Sequence, residues 1–417
     1  MISVPSSKDL TAVTLRLLEY CRANKWAGYD PYDALNSELL RYLPFANTRL
    51  LRLSLTQILK RSPLNPRPLL SVPRVQNPKA IALFLMASLK LSRLGLLVDD
   101  GLPEILAGLL ARLKSETNPH SGWGYSFPWQ TRTVTVPRGE PNLVCTAFVA
   151  NALLDAYEQR HDPMYLALAT SAARYLLNDL YRQDDDSTAS FAYPLSSSRS
   201  TVHNANFLGA ALLCRVYRHS RETLFLEPAL KVARYSASKQ HSDGSWDYGE
   251  LATQRWVDNF HTGYNLCALR SISESLYTPE FDPVICRGFA FYRQHFFRAD
   301  GAARYFAHRT YPIDIHSVAQ SAVTLVTLRD LDPRNINLAV SVIGWAMAHL
   351  WDSRGYFYYR ATRFSTNKIS YMRWSQAWML LALTTTLEHL LTAPSRHADA
   401  ATLHEAARRP LPSAFRT

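Results

Sequence analysis

The sequence predicts an all-α protein, an (α/α)6 toroid with short β-hairpin loops at the face where the inner helices begin. Three observations lead there: a repeat near 57 residues, an alternation of two helix types, and an alternation of long and short loops. The clearest copy of the repeat is WVDNFHTGYNLCALR from Trp256, a polar opening that runs into an apolar helix. The same grammar returns in GEPNLVCTAFVANALLDAY from Gly139, TVHNANFLGAALLCRVY from Thr201, DIHSVAQSAVTLVTL from Asp314 and YMRWSQAWMLLALTTTL from Tyr371. In register, His203 to His261 is 58 residues, His261 to His316 is 55, and His316 to Arg373 is 57. A period of this length marks stacked supersecondary units that share one core.

Residues 10–24 carry apolar positions at helical spacing behind a Ser-Ser-Lys-Asp start that can cap them. Residues 26–37 read as an aromatic, Asp-containing loop and residues 48–60 as a short helix. The five prolines of 62–78 enforce extended or turning chain. From residue 79 the alternation begins. Apolar helices are expected at 79–91, 142–157, 204–217, 260–276, 317–328 and 374–391. One-faced helices are expected at 103–114, 164–181, 224–240, 282–297 and 335–351, with 10–24 as the sixth. Helices apolar nearly all round must be buried, and one-faced helices cover them. The loops entering the apolar helices are long and place a Tyr at a repeated point: Tyr125, Tyr193, Tyr248, Tyr305 and Tyr359. Two residues earlier stand Trp123, Phe191, Trp246, Ala303 and Phe357, an alternation that reads as a short strand. Long loops carry function, so the inner-helix N-terminal face is the expected functional face. Residues 1–394 are expected to form one toroid domain and 395–417 a polar tail.

Hydrophobic residues at 47% and charged residues at 19% exclude a disordered chain. The net charge of +12 is carried mostly by Arg, whose fork suits carboxylate and phosphate. The basic residues are spread rather than clustered in a stripe, which argues against a nucleic-acid partner. Five scattered cysteines, with no CxxC and no HxxxH, predict neither disulfides nor a zinc site, and no metal or other cofactor is expected. The N-terminus lacks a basic segment followed by an apolar run, and residues 80–98 are interrupted by Lys90 and Arg93. Neither a signal peptide nor a transmembrane segment is expected, which points to the cytoplasm.

The toroid pattern resembles the six-hairpin glycosidase group and its relatives among polysaccharide lyases and uronyl epimerases. The strings WAGYDPYDALNS, NPKAIALFL, DGSWDYG and WVDNFHTGYNL are similar to those of bacterial proteins of exopolysaccharide biosynthesis. The resemblance implies a glycan-active protein, glycosidase-like, with lyase or C5-epimerase chemistry as the alternative. A non-catalytic glycan-binding subunit is the third reading, because fold alone does not choose a reaction.

Six helix N-termini aimed into one mouth favour an anion there, and Arg132, Arg309, Arg360 and Arg373 lie in the same loops. An acidic oligo- or polysaccharide is the expected partner. Trp123, Trp129, Trp246, Tyr248 and Tyr359 are candidate stacking platforms, while a repeated aromatic also reads as repeat packing. His203, His261 and His316 stand at matching repeat positions and can move protons near neutral pH. Asp258 and Asp314 precede two of them, as acid, base or N-cap. Tyr264 and Gln376 lie one turn into their helices, and Asn204 and Glu140 complete the substrate-facing set. Hydrolysis needs two carboxylates, drawn from Asp30, Asp33, Glu140, Asp247, Asp258 and Asp314. Elimination or epimerisation needs an acid and a base beside a neutralised carboxylate, a set that His261, Tyr264, Arg373 and an Asn supply.

Overall fold

The computed structural model describes residues 4–42, 48–97, 101–131, 134–185 and 188–392. The expected tail, 395–417, lies outside them. Thirteen α-helices are described: α1 Ser7–Ala23, α2 Arg49–Arg61, α3 Pro78–Arg93, α4 Leu102–Arg112, α5 Leu143–Arg160, α6 Pro163–Tyr175, α7 His203–Ser220, α8 Leu226–Ser238, α9 Asn259–Leu276, α10 Asp282–His295, α11 Ile315–Thr327, α12 Asn335–His349 and α13 Trp378–Thr392. Helices α3, α5, α7, α9, α11 and α13 pack in that order, and α13 packs back on α3 to close the ring. Around it, α4, α6, α8, α10 and α12 each cover the inner helix that precedes them, and α1 covers α13. This is the (α/α)6 toroid the repeat predicts. Its core fills the space between the two rings and takes in Leu10, Leu83, Leu153, Leu212, Leu269, Leu325 and Leu383.

The inner helices start where the chain supplies caps. Asn77, Asn142, Asp258 and Asp314 are N-caps whose side chains accept a backbone N–H. The last inner helix departs from expectation. Met372–Ala377 forms a π-helical turn ahead of α13, so Arg373 and Trp374 stand out of phase with a continuous α-helix. Short antiparallel pairs occupy the long loops, at Trp129–Gln130 with Thr135–Val136, Tyr181–Gln183 with Ala189–Phe191, and Trp351–Asp352 with Tyr356–Phe357.

The repeated tyrosines have a backbone reason. The carbonyls of Tyr248, Tyr305 and Tyr359 accept the first helical N–H of α7, α9 and α11, from His203, Asn259 and Ile315, at 3.0–3.1 Å. Tyr29 does the same for Met372 at 3.1 Å. Each loop therefore caps the inner helix one unit back and stitches neighbouring units together. Tyr29 belongs to this set, but α2 and the proline-rich segment separate it from α3 and hide its register in the sequence.

Trp123 and Trp246, expected as stacking platforms, are core residues. Each is almost wholly buried, and its indole N–H donates to a helix carbonyl, Leu110 O at 2.8 Å and Ser236 O at 3.1 Å. Gln376 is likewise structural, clamping the Phe357 backbone through its Nε2 at 2.8 Å and Oε1 at 2.9 Å. Trp246→Ala is expected to cost about 3–5 kcal/mol in urea unfolding, by lost burial and the cavity left behind. Tyr277→Ala, at an exposed position, is expected to stay within about 0.5 kcal/mol. Equal losses would contradict the core assignment.

Candidate functional site

Counting from each N-cap, rather than from histidine, orders the mouth. The second helical position of the inner helices carries Lys79, Val144, Asn204, Phe260 and His316, and Arg373 holds that position in the π turn. Four of these converge: the His316 ring stacks on Phe260 at 4.5 Å, and Lys79 and Arg373 both lie in electrostatic range of His316. The three repeat histidines do not match in this register. His203 is the first helical residue, His316 the second and His261 the third. Each step rotates a side chain by about 100°, so the three point to different places. His203 turns outward, with Nδ1 3.3 Å from Ser236 Oγ of α8, and burial pushes it down to about 4. It is a packing residue, which corrects its expected substrate role.

His261 and His316 both meet the Phe260 ring, at 4.1 and 4.5 Å. Asp258 Oδ1 caps α9 through the His261 N–H at 3.0 Å, while Oδ2 meets His261 Nδ1 at 2.7 Å and accepts Trp256 Nε1–H at 3.2 Å. That arrangement puts the proton on His261 Nδ1 and leaves Nε2 with its lone pair. The His261 side chain is 20% exposed. It lines a narrow crevice with Asn204, Tyr248 and Trp256. Tyr248 stacks on Trp256 at 4.6 Å and lies 4.6 Å from the His261 ring. The Asn204 Oδ1 is buried without a partner.

His316 sits deeper. Its ring lies between Phe260 and Trp378 at 4.5 and 4.6 Å, with the Trp374 edge at 4.5 Å. Burial, with Lys79, Arg373 and His261 nearby, pushes it far below the usual imidazole range. Tyr264 OH is 2.7 Å from His316 Nε2 and 3.4 Å from Lys79 Nζ. The phenol donates along the shorter bond, so the neutral His316 carries its proton on Nδ1, which has no partner. Close helix approach makes this contact possible. A Cβ on Gly263 would stand 2.7 Å from Thr324 Oγ1, so only glycine lets α9 meet α11 here.

Lys79 was not singled out in the sequence. Its ammonium lies over Phe148 at 4.0 Å, Tyr264 at 5.2 Å and Trp378 at 5.3 Å. Burial above all, and then Arg373, pushes it well below the ordinary lysine range. A lone lysine inside an apolar helix run gives no sequence signal of an aromatic cage.

Asp314 is buried between two donors. Trp374 Nε1–H and the His316 N–H reach the same oxygen, Oδ1, both at 2.9 Å. Burial raises its carboxyl to about 6 against these hydrogen bonds.

Arg373 does not hold an anion from outside the chain. Its Nε and Nη2 bind Asp30 Oδ2 and Oδ1 at 2.6 and 2.8 Å, both side chains being buried. Asp33 is paired in the same way with buried Arg67 at 2.7 Å. The segment WAGYDPYDALNS is thus tied into the mouth by ions, and Tyr32 follows it inward. Tyr32 lies 5.4 Å from Trp374 and in electrostatic range of Tyr193, Tyr248, Tyr305 and Tyr359. Lys60 of α2 stands over the Tyr32 ring at 4.2 Å.

The remaining candidates scatter. Arg360 is half-buried, 4.8 Å over Tyr359, and its Nη2 donates to Lys60 O at 3.3 Å. Tyr359 is buried with its hydroxyl unpaired. Trp129 meets Tyr125 edge-on at 6.0 Å. Glu140 lies toward Tyr175 of outer helix α6, and Arg309 is exposed, so neither joins the cluster. Arg132 lies outside the described residues. No group of three His, Cys, Asp or Glu fit to hold a metal occurs among the described residues. No described helix is long and apolar enough to cross a membrane.

Two outcomes test this description. Asp314 has a folded value above its unfolded one, so its contribution to stability is fully present below about 4 and is lost as pH rises through about 6. Asp314→Asn keeps both hydrogen bonds at Oδ1. Its unfolding free energy, compared with wild type by urea titration, should gain on the order of 3 kcal/mol between pH 4 and 7. A constant difference would rule out the raised value. Lys79→Met replaces a buried amine by an apolar side chain of similar length and should leave stability unchanged or raise it. A melting temperature several degrees lower would make Lys79 a structural residue instead.

No protein-family model matches this sequence, and neither does any curated protein. Solved structures match its fold. A cellobiose 2-epimerase from Bacillus thermoamylovorans B4167 is 11% identical, with a TM-score of 0.58 over 77% of this chain and 90% of that one. A GH76 α-mannanase from Bacteroides thetaiotaomicron is 12% identical, with a TM-score of 0.57 over 76% and 87%. A polysaccharide lyase is 11% identical, with a TM-score of 0.58 over 94% and 100%. The chain thus shares the (α/α)6 toroid of glycosidase-like proteins.

Proposed function

We propose that this chain is a carbohydrate-active enzyme that moves a proton at a sugar carbon of an acidic glycan, by epimerisation or β-elimination. The carrying observation is the pair of imidazoles that both contact the Phe260 ring, at 4.1 and 4.5 Å. His261, oriented by Asp258, presents a basic Nε2. His316, held neutral by burial and accepting the Tyr264 hydroxyl at Nε2, carries its proton on Nδ1. A base that takes the proton from carbon and returns it, beside a neutral N–H that hydrogen-bonds to the oxygen where charge develops, is a set that proton transfer at one carbon can use. Lys60 and Arg360 beside the mouth, with converging helix N-termini, suit a carboxylate on the reacting sugar. The likeness in fold supports carbohydrate as the substrate class. We place the activity in assembly or turnover of a bacterial polysaccharide, in the cytoplasm, on the strings WAGYDPYDALNS and DGSWDYG.

Hydrolysis is the second reading, and Asp314 favours it. A carboxyl raised to about 6 is suited to general acid catalysis. Its weakness is the partner, since Asp258 is bonded to His261 and Asp30 to Arg373.

Incubation with uronic-acid polymers in deuterium oxide separates the readings. Epimerisation brings deuterium into C5, and elimination brings an ultraviolet-absorbing unsaturated end. His261→Ala should lower either rate by roughly 10²–10⁴, with melting unchanged. New reducing ends without deuterium or ultraviolet absorbance would establish hydrolysis and overturn the proton-transfer reading.

A further inference from the structure

A second feature stands outside the mouth. Where α1 meets the chain entering α13, an open groove of about 420 Å³ runs along the flank, large enough for a small ligand. Three tyrosines line it, Tyr20, Tyr29 and Tyr356, beside Pro63 and Leu64. Tyr20 and Tyr356 pack at 5.0 Å and 34°, and Tyr20 OH bonds Ser370 Oγ at 2.9 Å. Tyr29 forms the inner wall. Arg74 and Lys368 are exposed at the rim, and none of the thirteen lining residues is Asp or Glu. Arg74 is held by neutral partners, Asn24 Oδ1 at 2.5 Å and Ala27 O at 3.5 Å. Lys368 lies 5.4 Å over the Tyr358 ring. The described contacts of both cations are with neutral groups, so no carboxylate pairs with either charge among them.

We infer that this groove is a second saccharide site, selective for a hexuronate unit. Its tyrosines receive the C–H face of the sugar, and Arg74 and Lys368 receive the carboxylate. Neutral sugars would satisfy the rings and leave the cations unused. Free phosphate would satisfy the cations and leave the rings bare. The groove also has a set relation to the mouth. Gly28, Tyr29 and Met372 form its floor and, on their other side, the wall of the crevice at Asp30 and Arg373. A Cβ on Gly28 would stand 2.7 Å from Met372 Cβ, so glycine keeps this wall thin. Tyr29 is the capping tyrosine of its unit, equivalent to Tyr248 and Tyr359 of the mouth, yet its ring lines the flank. The chain therefore offers a polymer one site in the mouth and another beside it.

The identity of the ligand rests on the acidic-glycan reading, but the site is tested by binding alone. Isothermal titration with tetragalacturonate, cellotetraose and inorganic phosphate, at low salt and at 0.5 M NaCl, would be run on wild type, Lys368→Glu, Arg74→Gln, Tyr29→Ala and His261→Ala, each checked by thermal melting. Tetragalacturonate should still bind His261→Ala, with the groove component of wild-type binding retained. Its affinity should fall about tenfold in each groove variant, near 1.4 kcal/mol, and fall again at high salt. Cellotetraose binding should not respond to Lys368→Glu. Groove variants that bind tetragalacturonate as wild type does, or an unfolded-free Tyr29→Ala with no loss, would overturn the inference. Phosphate binding with the same losses would make the groove an anion site and overturn it as well. Loss of binding in His261→Ala alone would place the ligand in the mouth and leave the groove without one. Failure of the proton-transfer reading would show instead in the deuterium experiment, with these titrations unaffected.

Discussion

Six helices without a polar face must be buried, and here they close into a ring covered from outside. Everything else in this protein depends on that burial constraint. An open row would leave the free flanks of α3 and α13 in water, and each exposed apolar side chain would cost about 1.5–3 kcal/mol. Contact between α13 and α3 removes both flanks at once. Closure also fixes polarity. All six inner helices start at the same face, so their N-termini, caps and entering loops must share one mouth.

That convergence explains why the mouth is rich in buried polar groups. Asn77, Asn142, Asp258 and Asp314 are present because helix starts need acceptors. Two of these caps gain a second contact: Asp258 holds His261, and Asp314 receives Trp374. The candidate site is thus built from capping groups already required by the fold. Lys79 is different. It neither caps nor pairs with a carboxylate, and an amine desolvated among three aromatic rings does not add to stability.

Charge at the mouth is also rearranged by the N-terminal insertion. The segment carrying Asp30, Tyr32 and Asp33 folds inward, neutralises Arg373, and is tied in place by Arg67. Helix α2 then brings Lys60 over Tyr32. Arg373 is thereby paired inside the wall, while Lys60 and Arg360 stand beside Tyr32 and Tyr359. The same segment creates the flank groove, because Tyr29 turns its ring outward while its carbonyl caps Met372.

The sequence by itself determined the ring. Period, helix character and loop length are one-dimensional properties, and burial translates them directly into inner and outer helices. It also placed Asp258, His261, Tyr264, Asp314 and His316 at the starts of inner helices, where they stand in α9 and α11, since N-caps and polar residues at helix starts are visible in a string. Direction was not visible. A shift of one residue turns a helical side chain by about 100°, so histidines that align at 58 and 55 residues diverge to α8, the crevice and the axis. Pairing was not visible either. Whether Arg373 meets a substrate or Asp30, 343 positions away, depends on how the N-terminal segment folds across the ring. Trp123 and Trp246 look like sugar platforms until packing density is known, and Lys79 looks like any surface lysine until its cage closes. Only tertiary structure decides these, because burial, partner choice and helix phase are set by contacts between units that the repeat itself leaves equal.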